Sequence, residues 1–266
     1  MPTVEFDTQE ILKLLGKDYR MDYLRDRIPM IGVSLESFDN KKTIIEAFPN
    51  RPDLLSIEGF VRALRGFLSI EVGFKKYDLK DSRIKLYIDS SVKNVRPYIA
   101  SGIVKNVALD NQGLKSLMDL QEKLHLTHGK NREKVAIGVH DLDKVEAPFL
   151  YKAVKPDEIS FIPLDMNEPL NLRQILQRHP KGRDYAGILK NFDRYPIILD
   201  KNNNVLSFPP IINGELTRVT ENTKNLFIEL TGTSNLAVNQ ALNIVIASIS
   251  DRGGEIYSVE LIGKGR

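Results

Sequence analysis

A glutamate sits inside the most strand-like stretch of the chain, Asn225-Leu-Phe-Ile-Glu-Leu-Thr231, and this placement constrains the fold more than any other feature. β-Branched and aromatic residues favour a buried, extended backbone. Side chains alternate along a strand, so Leu226, Ile228 and Leu230 share one face, and Phe227, Glu229 and Thr231 the other. The segment Asn235–Ser250 that follows is apolar almost all round and reads as a buried helix stopped by Gly253-Gly254. Strand and helix together demand a large core. A carboxylate in such a strand must find a partner, face water or line a polar pocket. Pattern alone leaves the solvent and pocket readings of Glu229 both open.

With 266 residues the chain can build that core, and two domains are expected from its length, with a single α/β domain of this size as the alternative. An apolar fraction of 42% and a charged fraction of 27% are those of an ordinary globular protein. The absence of cysteine excludes disulfides and thiolate zinc sites, and fits an intracellular setting. A net charge of +3 permits contact with a polyanion without advertising one, and no basic run stands out. The start MPTVEFDTQE is no signal peptide, and no uncharged apolar run approaches the ~18 residues that span a bilayer. A cytoplasmic protein is expected, with no membrane contact.

Along the chain, Thr3 to Phe6 reads as a strand. Asp7 caps a helix with Glu10 in a capping-box arrangement, and Gly16 ends it. A short helix over 22–27 precedes a strand pair over 31–38 and 43–48. Asn50-Arg-Pro-Asp53 introduces a helix with a stripe of Leu54, Ile57, Val61, Leu64, Leu68 and Val72. The charged stretch 75–85 reads as a linker or exposed hairpin, which divides the chain into residues 1–85 and 86–266. Beyond it, strands are expected over 96–110, 134–139, 149–154 and 159–164, and helices over 111–126, 172–179 and 184–192. A hairpin joins 195–200 to 205–208, a strand region covers 217–231, and a last strand covers 255–262. Strict βαβ alternation is missing. The expected fold is α+β, a small N-terminal α/β domain followed by a larger mixed-sheet domain with packed helices.

No P-loop, dinucleotide fingerprint, HExxH or GxSxG is present. His125 and His128 lie three apart at a helix end, without a third ligand close in sequence. His140-Asp141-Leu142-Asp143 follows a strand; its aspartates fit an Asx turn, and His140 stays unassigned. Ser207 has no adjacent catalytic signature but suits a pocket wall.

Five segments carry a family resemblance: MPTVEF (1–6), NRPDLLSIEGFVRALRGF (50–67), LQEKLH (120–125), VAIGVHDLD (135–143) and LSFPPIINGELTRVTENTKNLFIELTGT (206–233). Together they make the chain similar to the N-terminal part of the β subunit in the archaeal and eukaryotic phenylalanyl-tRNA synthetase family. The resemblance implies an N-terminal domain over 1–85 and a central domain over 86–266 that edits misacylated tRNA. It implies hydrolysis of tyrosyl-tRNA(Phe), with Glu229 matching the acidic position that reads the tyrosine hydroxyl. Thr231, Ser207, Ile198, Leu199, Asn213 and His140 fall in the matched pocket segments and are expected to bind substrate. No catalytic nucleophile–base pair and no metal site are assigned. ATP and Mg2+ are expected only for the complete synthetase, whose partner is the α subunit of an α2β2 enzyme. The alternative is a non-catalytic RNA-binding or assembly module, which requires a solvent-facing Glu229.

Overall fold

Three short segments with alternating apolar residues make the first sheet. In the computed structural model, which describes residues 2–263, β1 (Thr3–Asp7), β2 (Val33–Phe38) and β3 (Lys42–Ala47) form an antiparallel sheet in the order β1-β3-β2. Helices α1 (Thr8–Leu15), α2 (Met21–Arg27) and α3 (Ile57–Phe67) accompany it. Asp7 caps α1, its Oδ1 accepting from the amides of Gln9 (2.8 Å) and Glu10 (3.2 Å), and Gly16 ends it in the left-handed region at φ 67°. Glu10 is not the expected capping-box partner. Its carboxylate is buried and accepts instead from Arg252 (3.0 Å). α3 also starts later than its apolar stripe suggests: Ser56 is the cap, accepting from the Gly59 amide at 3.0 Å, and Pro52–Leu55 is a 3-10 turn. Val72 lies beyond the helix and is exposed.

The second sheet is built from nine strands. In chain order β4 (Leu79–Ile88), β5 (Tyr98–Lys105), β6 (Val135–Asp141) and β7 (Phe149–Val154) come first. A separate two-stranded ladder of β8 (Ser160–Phe161) and β9 (Leu170–Asn171) interrupts them. Then follow β10 (Tyr195–Leu199), β11 (Val205–Phe208), β12 (Ile212–Asn213), β13 (Leu226–Gly232) and β14 (Glu255–Gly263). The order is β12-β11-β10-β7-β4-β14-β5-β13-β6, with β4 parallel to both neighbours and the other pairs antiparallel. The sheet curls until its end strands meet, where Asn213 of β12 donates through Nδ2 to the Val139 carbonyl of β6 (3.3 Å). Helices α4 (Asn111–Leu126), α5 (Leu172–Arg178), α6 (Pro180–Tyr185) and α7 (Asn235–Ser250) complete the fold. The architecture is α+β, as expected.

Further local expectations change, and the strands expected over 96–110 and 159–164 contract to β5 and β8. Residues 79–85 are no linker but the first half of β4, so the expected break after residue 85 falls inside a strand. Lys80, Asp81 and Lys85 are exposed there, and a strand with one wet face resembles a linker in composition. The helix expected over 184–192 begins instead at Pro180, because the His179 Nδ1 accepts the Lys181 amide (3.1 Å) and supplies the cap. The strand region 217–231 contracts to β13, after a 3-10 turn at Glu215–Thr217.

The Leu226-Ile228-Leu230 face of β13 packs with Val238, Ala241 and Val245 of α7. That apolar cluster continues without a break into Leu117 and Leu124 of α4 and on to Leu54, Phe60, Leu64, Ile11 and Val4 beside the first sheet. The opposite face puts Phe227 against Phe149 at 4.3 Å between ring centroids. Polar ties reinforce the shared core. Ser56 and Ser248 share a hydrogen bond of 2.8 Å, and Arg252 binds the buried carboxylates of Glu10 and Glu58. Replacing Arg252 by leucine leaves Glu58 with Ser116 and Glu10 with the exposed Lys13 as partners, and a loss of about 3 kcal/mol is expected. It would be read as a lower denaturant midpoint at an unchanged m-value.

Candidate functional site

β13 runs between β5 and β6, with Glu229 opposite Ser101 on one side and Gly138 on the other. Every residue of the strand is buried, and Glu229 is 2% exposed. The solvent reading is therefore excluded. Gly138 makes room for the carboxylate: a β-carbon there would lie 2.2 Å from Glu229 Oε1 and 2.8 Å from His140 Nε2. A glycine inside a strand marks such a close approach.

The buried carboxylate is only half satisfied. Ser207 on β11 donates through Oγ to Oε1 (2.9 Å), whereas Oε2 has no hydrogen-bond partner among the described residues. His140 lies beside it, with Nε2 3.7 Å from Oε1 and also unpartnered, while Nδ1 and Thr217 Oγ1 share a bond of 2.8 Å. Glu229 and Ser207 line a cavity of about 240 Å³, walled by Ile137, Phe208, Pro209, Ile211 and Asn213. Glu122, His125, Arg132 and Lys181 line it as well. A buried acceptor without a donor favours a ligand that brings one.

The expected site residues divide by position. Glu229, Ser207 and Asn213 share the cavity, and His140 stands behind the carboxylate. Thr231 faces the same side of β13 but is committed to Arg96, whose Nε donates to its Oγ1 (2.9 Å). Ile198 and Leu199 line none of the cavity and lie in two apolar clusters on opposite faces of β10. His125 and His128 share nothing: the Ile137 amide donates to His125 Nε2 (2.8 Å), and His128 Nε2 bonds the Ala237 carbonyl (2.9 Å). Asp141 forms the expected turn, accepting the Asp143 amide at 3.1 Å, and Thr223 donates to its other oxygen (2.9 Å).

Sequence reasoning missed Arg96. It is fully buried and donates to the Thr231 and Arg132 carbonyls (2.7 and 3.0 Å) and to the Glu133 carbonyl (3.0 Å). Burial pulls its guanidinium down to about 10, opposed by nearby Tyr151 and Glu229. Tyr151 donates to the Arg96 carbonyl (2.7 Å), and burial pushes its phenol up. Gly138 had a readable signal, a glycine within VAIGVH. Arg96 had none, because its partners are backbone carbonyls distant in sequence.

Comparison with known proteins follows this geometry. A B3/4 domain profile matches residues 91–248. The chain is similar to the phenylalanine–tRNA ligase β subunits of Methanosphaera stadtmanae (48% identity, 98% of this chain, 47% of that protein) and Methanosarcina acetivorans (46%, 100% and 48%). It thus spans about half the length of these curated relatives. It superposes on the crystal structure of an N-terminal fragment of the phenylalanyl-tRNA synthetase β-subunit from Pyrococcus horikoshii with a TM-score of 0.94. That match has 38% identity and covers 99% of this chain and 77% of the fragment.

Two outcomes follow from the site alone. Gly138→Ala forces a methyl onto the Glu229 carboxylate, and a loss of roughly 1–3 kcal/mol is expected in chemical denaturation. His125 gives a pH signature. Burial lowers its pKa to about 4 from an ordinary 6.5, so between those values the unfolded chain binds more protons. The contribution is complete above pH 6.5 and is lost as the pH falls towards 4, about 3 kcal/mol in all. His125→Gln keeps an acceptor for the Ile137 amide and should flatten stability across that window.

Proposed function

Because the chain belongs to the phenylalanine–tRNA ligase β-subunit family, as its N-terminal region with a B3/4 domain, we propose that the Glu229 cavity edits tyrosine misattached to tRNA(Phe). The observation that carries this reading is Glu229, which lines a cavity of about 240 Å³ and whose buried Oε2 is an acceptor without a donor among the described residues. Tyrosine is phenylalanine plus one hydroxyl. An apolar synthetic pocket rejects an added hydroxyl only weakly, about 100-fold, so a second sieve of opposite preference is useful.

Glu229 supplies that preference. A tyrosine phenol donates to Oε2, whereas phenylalanine leaves the acceptor unsatisfied at a cost of roughly 1–3 kcal/mol, about 5- to 150-fold in discrimination. Ser207 holds the other carboxylate oxygen, and Gly138 keeps the slot open. Asn213 ties the cavity wall to β6, and Arg96 anchors Thr231 two residues along the same face. Hydrolysis in this reading uses a water positioned against the ester, helped by the neighbouring ribose hydroxyl and by backbone donors. No covalent intermediate forms. Aminoacylation, with its ATP and Mg2+, and assembly with the α subunit belong to the complete enzyme.

Burial of Glu229 weighs against the non-catalytic alternative, which needs that side chain in solvent. The direct test is deacylation of tyrosyl-tRNA(Phe) and phenylalanyl-tRNA(Phe). Glu229→Ala should lower kcat/KM for the tyrosyl ester by tenfold or more, and bring the two esters towards equal rates. Unchanged tyrosyl hydrolysis contradicts the assignment. An acyl-enzyme trapped on Ser207 would contradict the water mechanism.

A further inference from the structure

His140 follows the apolar run Val135-Ala-Ile-Gly-Val139 on β6 and is completely buried. A neutral imidazole has one nitrogen that donates and one that accepts, and in a dry interior both need partners. Nδ1 has one, sharing a bond of 2.8 Å with Thr217 Oγ1 from the 3-10 turn at Glu215–Thr217. Nε2 has no hydrogen-bond partner among the described residues, and Glu229 Oε1 stands 3.7 Å from it. The two atoms converge over Gly138, where a β-carbon would lie 2.2 Å from Oε1 and 2.8 Å from Nε2. At that distance the contact is electrostatic, not a formed hydrogen bond.

Other groups near the ring are neutral or engaged elsewhere. Asp141, the next residue of β6, lies on the opposite strand face and is bonded to Thr223 (2.9 Å) and the Asp143 amide (3.1 Å). Glu215, two residues before Thr217, is held by Arg218 at 2.7 Å. Phe227 pairs with His140 across β13 and stacks on it at 6.0 Å between ring centroids, and the residue paired with Glu229 on β5 is the uncharged Ser101. Glu229 is therefore the charge that Nε2 meets.

The Thr217 hydroxyl has one proton to give, and either use of it places a proton on Nε2. If it donates to Nδ1, a neutral ring carries its own proton on Nε2. If it donates to the Gly214 carbonyl (3.3 Å), Nδ1 donates to Thr217, and a bare Nε2 would turn its lone pair on a carboxylate oxygen. A second ring proton removes that repulsion.

We propose that His140 is a positioning residue that directs an Nε2 proton at Glu229 Oε1, so that Ser207 and His140 together hold one carboxylate oxygen and leave Oε2 to a ligand hydroxyl. This rests on the reading of Glu229 as the group that selects a phenol. A carboxylate held at one oxygen from two sides cannot swing to offer the other edge, which fixes where the hydroxyl must sit. Contacts of this kind are long in the empty site and tighten when a ligand settles.

Nitrogen-15 NMR of the histidine rings in the 266-residue chain locates the proton without any substrate. His140 should show a protonated Nε2, and Glu229→Gln should move that resonance. A bare Nε2 in the wild type, or one unmoved by Glu229→Gln, overturns the inference whatever the chain hydrolyses. Deacylation supplies the second arm. His140→Leu removes the donor, whereas His140→Gln keeps an amide donor near the Nε2 position. The preference for tyrosyl over phenylalanyl ester should fall about tenfold in His140→Leu and stay within about threefold in His140→Gln. Equal loss in both variants at unchanged thermal unfolding, or loss in neither, makes the ring a space-filler and overturns the role. If the wild-type chain hydrolyses no tyrosyl ester while the NMR result holds, the editing assignment falls and the His140–Glu229 contact stands.

Discussion

A carboxylate held in the middle of a sheet, with one oxygen satisfied and one not, is the constraint around which this structure is arranged. Burying an ionisable group without full compensation is costly, and a fold keeps such a group only where its surroundings support it. Here the support comes from several directions. Gly138 on β6 removes the side chain that would collide with the carboxylate. Ser207 on β11 donates to Oε1, and Arg96, fully buried, is bonded to Thr231 two residues along the same face. The remaining oxygen is buried without a partner among the described residues, and the residue lines a cavity together with Ser207 of β11 and Asn213 of β12. A site poised in this way has a built-in preference for ligands that donate.

The same strand also anchors the core. The leucine and isoleucine face of β13 packs on α7, within an apolar cluster that runs on to α3 and the first sheet. Arg252, just past the end of α7, binds acidic side chains of α1 and α3 across that junction. The floor of the cavity is thereby fixed to the most deeply buried part of the molecule, which is what preorganised recognition requires. The N-terminal residues and the nine-stranded sheet share one interior, although composition suggested a break between them.

What could be read from sequence divides along local and non-local lines. The alternation in β13 and the bounds of α4 and α7 are local properties, and they match the structure closely. β4 was missed because its exposed charges imitate a linker, while its pairing to β14 and β7 is invisible in sequence. β10 is apolar on both faces, so Ile198 and Leu199 carried no signal to say which of them, if either, meets a pocket. Arg96 and Arg132 bond mainly to backbone carbonyls brought together by folding, and no spacing rule reveals that. Family resemblance identified Glu229 as important. Only its burial, its unpartnered oxygen and the cavity beside it turn that resemblance into a physical argument.

The central claim is that Glu229 reads a phenolic hydroxyl, and the most direct measurement is a crystal structure of the chain with a non-hydrolysable tyrosyl-adenosine amide. The account predicts the ring in the Glu229 cavity, with the phenol oxygen about 2.5–2.7 Å from Oε2, the length of a hydroxyl donating to a carboxylate. A tyrosyl ring bound elsewhere, or in the cavity with its hydroxyl turned away from Glu229, would contradict it.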